Sequence, residues 1–169
     1  KYCRTHNVPT FGICLGMQCI VIEFARNVLG YADANSREMD EKTPHNVIDI
    51  MEEQKSITNM GGTMRLGAYE CVIDPNSKTY EAYQSEHIQE RHRHRYEFNN
   101  KYREDFEKAG MTFSGVSPDN HLVEIVEITD KKFFVAAQYH PEFLSRPNRP
   151  EGLFKGFIGA ASGLQVDKF

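Results

Sequence analysis

The sequence predicts an α/β domain built on a central sheet, and two observations carry that expectation. A short apolar strand, Val8 to Ile13, runs into Gly12-Ile13-Cys14-Leu15-Gly16, and a helical pattern leaves that pentapeptide at once. The rest of the chain mixes apolar strands with amphipathic helices and shows no repeat, low-complexity segment or interdomain linker, the pattern of one sheet flanked by helices. At 169 residues the chain has the length of a single domain with a sizeable core.

Taken in order, Lys1 to Arg4 reads as the last turn of a helix already under way, so the chain is expected to begin partway through a domain. After the pentapeptide, Met17, Ile20, Val21, Phe24 and Val28 fall near an i, i+3, i+4, i+7 stripe, and Gly30 stands where a C′ glycine ends such a helix. Tyr31 to Thr43 has no periodicity and reads as a loop, and Val47 to Met51 as a strand. Gln54 to Gly62 is polar with a Gly-Gly turn signal, and Thr63 to Asp74 is extended. Asp74 to Ser77 is a turn, followed by a short helical piece around Tyr80 to Gln84. Asn99 is placed to cap a helix from Lys101 to Ala109 that Gly110 closes. Three strands follow, Thr112 to Val116, Leu122 to Ile128 and Phe133 to Gln138, before a last amphipathic helix carrying Leu153, Phe154, Phe157, Ile158 and Ala161.

Composition narrows the function classes. Hydrophobic content of 40%, charged content of 26% and a formal charge of −4 are ordinary for a globular protein. They give no electrostatic case for a nucleic-acid or anionic-membrane partner. No apolar run reaches the length of a membrane span and no secretory pattern opens the chain. Cys3, Cys14, Cys19 and Cys71 lack metal-site spacing and are expected to be reduced thiols in a cytoplasm. Cys19, a little over one turn beyond Cys14, is expected to serve packing.

The chemistry gathers at Cys14. A strand–turn–helix with glycines on either side pushes the central side chain outward, and the helix N-terminus behind it favours a thiolate. A bare G-x-C-x-G fits a buried cysteine in a turn equally well; His140-Pro141-Glu142 tips the balance. An imidazole beside a carboxylate is the base-and-orienter pair that a cysteine nucleophile requires. The stretch from Glu90 to Glu97 alternates Arg91, Arg93 and Arg95 with His92 and His94. Extended, it puts the arginines on one face and the histidines on the other. Zinc binding by the two histidines lacks a visible third ligand, whereas anion recognition suits the arginines. A solvated strand with Glu90 and Glu97 as partners is the ordinary alternative. Met60 to Gly67 is Gly-rich but lacks the P-loop pattern.

Gly12 to Gln18 together with His140-Pro141-Glu142 resembles the class I (triad) glutamine amidotransferase family. Glu23 to Gly30, Asp33 to Ser36, Met60 to Gly67 and Glu90 to Glu97 resemble its CTP-forming branch. The resemblance implies a flavodoxin-like fold, with a central, mostly parallel sheet flanked by helices. It implies hydrolysis of L-glutamine by a Cys14–His140–Glu142 triad, with the backbone N–H of Leu15 as an oxyanion donor. Gln18, Glu38 and Arg95 match positions that grip the amino-acid end of the substrate. Ammonia would pass to a synthetase domain of the same enzyme, which aminates UTP to CTP with ATP and Mg²⁺ under allosteric activation by GTP. The full enzyme is a homo-oligomer by the same resemblance, and the glutaminase domain itself takes no cofactor and no metal.

Residues 1–169 then form a partial type 1 amidotransferase domain, with the synthetase domain absent. The first strands, and the Gly-rich loop that gives the second oxyanion N–H, are missing too. Weak or no turnover is expected of such a piece, since one lost donor costs about 10²–10³ in kcat, and a truncated sheet invites self-association. Tyr139 stands where the family usually has Phe, a swap expected to change little. Another triad amidotransferase, or an amidotransferase-like fragment without activity, are the alternative readings.

Overall fold

A computed structural model describes residues 1–50 and 64–163 of the chain. Helix α1 (Tyr2–Thr5) leads into β1 (Thr10–Ile13), which starts two residues later than the apolar pattern and passes through Cys14 into α2 (Leu15–Asn27). Two short strands follow, β2 (Asn35–Ser36) and β3 (Asn46–Ile50), then β4 (Arg65–Ile73) and α3 (Lys78–Tyr83), which Ser77 caps. The basic run supplies β5 (His87–His94) and β6 (Tyr96–Phe98). Asn99 caps a 3₁₀ turn that leads into α4 (Arg103–Lys108). The chain finishes with β7 (Thr112–Val116), β8 (Val123–Glu127), β9 (Phe134–Ala137) and α5 (Gly152–Ser162).

Six strands form one sheet in the order β1-β9-β8-β7-β4-β5, and β2-β3-β6 form a small second sheet. The α/β class with flanking helices holds, but the large sheet is mixed rather than mostly parallel among the described residues. Only β1 runs parallel to its neighbour, with Gly12 opposite Ala136 and Ile13 opposite Ala137; the other pairs are antiparallel. The reason lies in the connections. Parallel neighbours need a crossover of a dozen or more residues, and the turns after β7 and β8 are too short for one.

Alternation along the central strands sorts side chains to two cores. Val126 and Ala136 join Met17, Val21 and Phe24 of α2 on one face of the sheet. Ile125, Val135 and Ala137 join Leu153 of α5 on the other. Phe106 of α4 closes the first core, stacked at 5.5 Å on Phe24 and edge-on at 5.2 Å to Phe98.

The two glycines of the pentapeptide have different jobs. A Cβ on Gly12 would lie 2.8 Å from Ala136 Cβ and 2.9 Å from the Gly16 carbonyl carbon, so strand, turn and helix pack together only over a bare backbone there. A Cβ on Gly16 would meet no described atom within 4 Å. Cys19 is exposed, not packed, because its helix position turns away from both cores. The polar stretch 54–62 and residues 60–63 of the Gly-rich stretch lie outside the described residues.

Candidate active site

Cys14 sits at the head of α2 with φ 50° and ψ −104°, a left-handed turn that residues with a Cβ rarely adopt. Its N–H donates to Ala137 O at 2.7 Å, fastening the elbow to the end of β9. The chain leaving β9 therefore emerges beside the sulfur. Gln138 comes first, and its Nε2 donates to Cys14 Sγ at 3.6 Å. His140 follows, with its N–H donating to Arg91 O at 2.8 Å, so β5 holds the backbone of the imidazole.

His140 Nδ1 lies 2.7 Å from Glu142 Oε1. A carboxylate only accepts, so Nδ1 carries the proton and Nε2 presents its lone pair. That Nε2 is buried and has no hydrogen-bond partner among the described residues. The ring stacks on Phe143 at 5.1 Å, and the 3₁₀ turn Pro141–Phe143 sets the Glu142 side chain back toward the histidine. Cys14, His140 and Glu142 are thus gathered at one end of the β1–β9 pair.

The sulfur differs from expectation in its charge. Burial pushes the Cys14 thiol up from its ordinary value, more strongly than the Leu15 N–H and the Gln138 amide pull it down, and the Glu142 and Glu97 carboxylates add to the rise. The helix N-terminus thus does not outweigh burial at this thiol. The Leu15 side chain is half exposed while its N–H faces the sulfur.

Gln18 meets Tyr96 at its main-chain carbonyl, whereas Glu38 and Arg95 act on its phenol through their charges. Gln18, only 3% exposed, donates from Nε2 to Tyr96 O at 3.1 Å and to Gln138 Oε1 at 3.3 Å, leaving its own Oε1 buried and unpartnered among the described residues. The Tyr96 phenol is raised by burial and by the Glu38 carboxylate, and lowered by the Arg95 guanidinium, which sets both charges near one ring. Glu38 is exposed in the turn after β2, with its N–H on Ser36 Oγ at 3.2 Å.

The basic run behaves as two pieces. In β5, Arg91 and Arg93 are exposed while Glu90, His92 and His94 are buried. Arg95 does not continue that face: it stands between β5 and β6, where the strand leaves β4 and joins β3. The alternative of a solvated strand with Glu90 and Glu97 as partners does not hold, because both are interior groups, 3% and 2% exposed. Arg91, Arg93 and Arg146 line a groove of about 660 Å³ with Met64, Leu66 and Phe143.

Behind the candidate triad lies a polar interior that spacing along the chain did not reveal. Arg65 Nη1 pairs with Glu124 Oε1 at 2.6 Å and lies 3.8 Å from Glu97 Oε1, with its guanidinium over the Tyr69 ring. His92 Nδ1 and His94 Nε2 bond at 2.8 Å. Burial, then Arg65, drives His92 down to about 2 and His94 down to about 3, so both are neutral. Burial raises Glu124 to about 7 and holds Glu97 well above the usual carboxylate range, with Arg65 opposing. No group of three His, Cys, Asp or Glu among the described residues is arranged to hold a metal ion. The Tyr139 hydroxyl, expected to matter little, is fully buried and bonds Tyr83 Oη at 2.9 Å, with Glu90 Oε1 3.4 Å beyond. The signal for Gln138 was present: a polar residue ending an apolar strand next to the candidate base.

A family model described as glutamine amidotransferase class-I matches residues 1–160. Over its whole length the chain is 71% identical to a CTP synthase of Lactobacillus delbrueckii subsp. bulgaricus, and over 95% of its length it is 71% identical to a CTP synthase of Bacteroides fragilis. It spans 32% and 30% of those two proteins, about a third of the relatives it matches. A solved structure of the Trypanosoma brucei CTPS glutaminase domain with bound acivicin superposes with a TM-score of 0.91 at 42% identity, over 96% of this chain and 63% of that one. No helix among the described residues is long and apolar enough to cross a membrane. The chain belongs to the class I glutamine amidotransferase family.

Proposed function

We propose that residues 1–169 act as the glutaminase part of a CTP synthase, hydrolysing L-glutamine at Cys14 and delivering ammonia for the amination of UTP. The observation that carries this reading is the Nδ1-anchored His140, with its unpartnered Nε2, at the same sheet end as a strained Cys14 elbow. The 71% identity to CTP synthases favours this branch over other triad amidotransferases.

In this reading His140 Nε2 takes the thiol proton and the Cys14 sulfur attacks the side-chain amide carbon of glutamine. The Leu15 N–H donates to the oxyanion that forms. His140 then returns the proton to the amide nitrogen, the C–N bond breaks, and ammonia leaves a γ-glutamyl thioester. Water, deprotonated by the same imidazole, attacks the thioester carbon; the C–S bond breaks, glutamate leaves, and the imidazolium returns its proton to the Cys14 sulfur. Glu142 holds the imidazole in the required tautomer throughout. Glu38 suits the α-ammonium and Arg95 the α-carboxylate, with Gln18 completing that end of the site. ATP, UTP, Mg²⁺ and the activator GTP belong to the enzyme as a whole. The groove of Arg91, Arg93 and Arg146 suits the phosphates of GTP or a face of the synthetase domain.

A glutamine-like chloroketone tests the reading. It should alkylate Cys14 selectively over Cys3 and Cys19, and millimolar L-glutamine should slow that labelling at least tenfold. Labelling spread over the exposed thiols and indifferent to glutamine would defeat it.

A further inference from the structure

We infer that Gln138 is a positioning residue for the nucleophile: its side-chain amide steadies the Cys14 sulfur, and Gln18 keeps that amide turned the right way. The inference rests on Cys14 as the nucleophile but not on the identity of its substrate.

The orientation follows from one backbone carbonyl. Tyr96 O can only accept, so the Gln18 side chain must turn its NH₂ toward it, at 3.1 Å. The same nitrogen reaches Gln138 Oε1 at 3.3 Å with its second hydrogen. Gln138 is thereby fixed with its oxygen toward Gln18 and its NH₂ toward Cys14 Sγ, at 3.6 Å. Reversing Gln138 would set two NH₂ groups against each other and place a carbonyl oxygen against the sulfur.

The surroundings hold this arrangement in place. Gln138 is fully buried, and its backbone N–H is tied to Glu124 O at 2.8 Å. Cys14 N–H on Ala137 O anchors the other side. Two buried amides thus run in series from the first residue of β6, beside Arg95, to the reacting sulfur.

The arrangement has two chemical effects. With a donor aimed at the sulfur, the S–H cannot be drawn into a bond with Gln138 and stays available to His140. When the proton leaves, the N–H···S contact becomes charge-assisted and strengthens, which offsets part of the burial that keeps the thiol neutral.

The test is the pH profile of Cys14 alkylation by iodoacetamide in the 169-residue chain, read at the Cys14 peptide by mass spectrometry. Gln138→Leu, similar in size and without the amide, should move the inflexion up by about one pH unit. Gln18→Leu should move it in the same direction, and the double variant no further than Gln138→Leu alone. Gln138→Met serves if Gln138→Leu does not fold, with thermal unfolding as the check on both. Inflexions of the Gln138 variants that coincide with the parent's would overturn the positioning role. A Gln18→Leu profile on the parent's, beside a shifted Gln138→Leu, would overturn the series arrangement. Iodoacetamide needs no glutamine pocket, so failure of glutamine protection leaves this result readable.

Discussion

Glu90 is a carboxyl set in an interior, and its surroundings determine when it can ionise. Burial and the Glu142 carboxylate raise it to about 7 from an ordinary 4.5. The folded chain therefore keeps a proton that the unfolded chain gives up. The stabilisation from that proton is complete below about pH 4.5 and is lost as the pH rises through about 7. Glu90→Gln is neutral at every pH. Its stability relative to the parent should grow from about 1 kcal/mol at about pH 5 to about 3 kcal/mol at about pH 8, read from urea melts across that range; a flat difference would remove Glu90 as the titrating group. At this scale the sequence exposed the candidate reactive residues and hid their surroundings. Cys14, His140 and Glu142 are legible because an elbow and an H-P-E turn are local. The buried state of Glu90 is set by Tyr83 and Tyr139, which come from α3 and from the segment after β9.

At the scale of elements, the turn from β1 into α2 makes a sharp distinction between glycines that look alike in sequence. Gly12→Ala forces a methyl into Ala136, Gly16 and Ile20, each within 3 Å of it, and should destabilise by about 1–3 kcal/mol. Gly16→Ala meets open space in a helix and should stabilise by about 0.5–1 kcal/mol. Thermal melts of the two variants should therefore shift in opposite directions, and equal losses would contradict the packing of the elbow. Strand and helix positions were readable from periodicity almost throughout, down to the Asn99 cap. Pairing was not, because a strand's own pattern does not say which neighbour it meets or in which direction. The same gap explains Arg95: period-two alternation holds from Glu90 to His94 and breaks there, because the change of partner from β4 to β3 is a tertiary event.

Across the whole molecule, the polar interior ties together strands that are far apart in sequence. Arg65 from β4 is the cation near Glu97 from β6 and Glu124 from β8. Removing one partner of a buried ion pair leaves the other charge uncompensated, at a typical cost of about 3–5 kcal/mol. Arg65→Met should cost that much in chemical denaturation, and adding Glu124→Gln should recover part of it. No recovery would mean that the pair is not energetically coupled. No spacing rule could have found this cluster, since its members share nothing until the sheet forms.

The amide of His140 rests on the carbonyl of Arg91, and the Arg91 side chain points away into the groove. One residue thus meets the His140 main chain with its carbonyl and solvent with its charge. Mechanically this is a lever with a very short arm. Whatever grips the guanidiniums of β5 pulls on the strand whose carbonyl holds the His140 main chain. Load on the outer face of β5 and the seating of the His140 main chain are two readings of one strand.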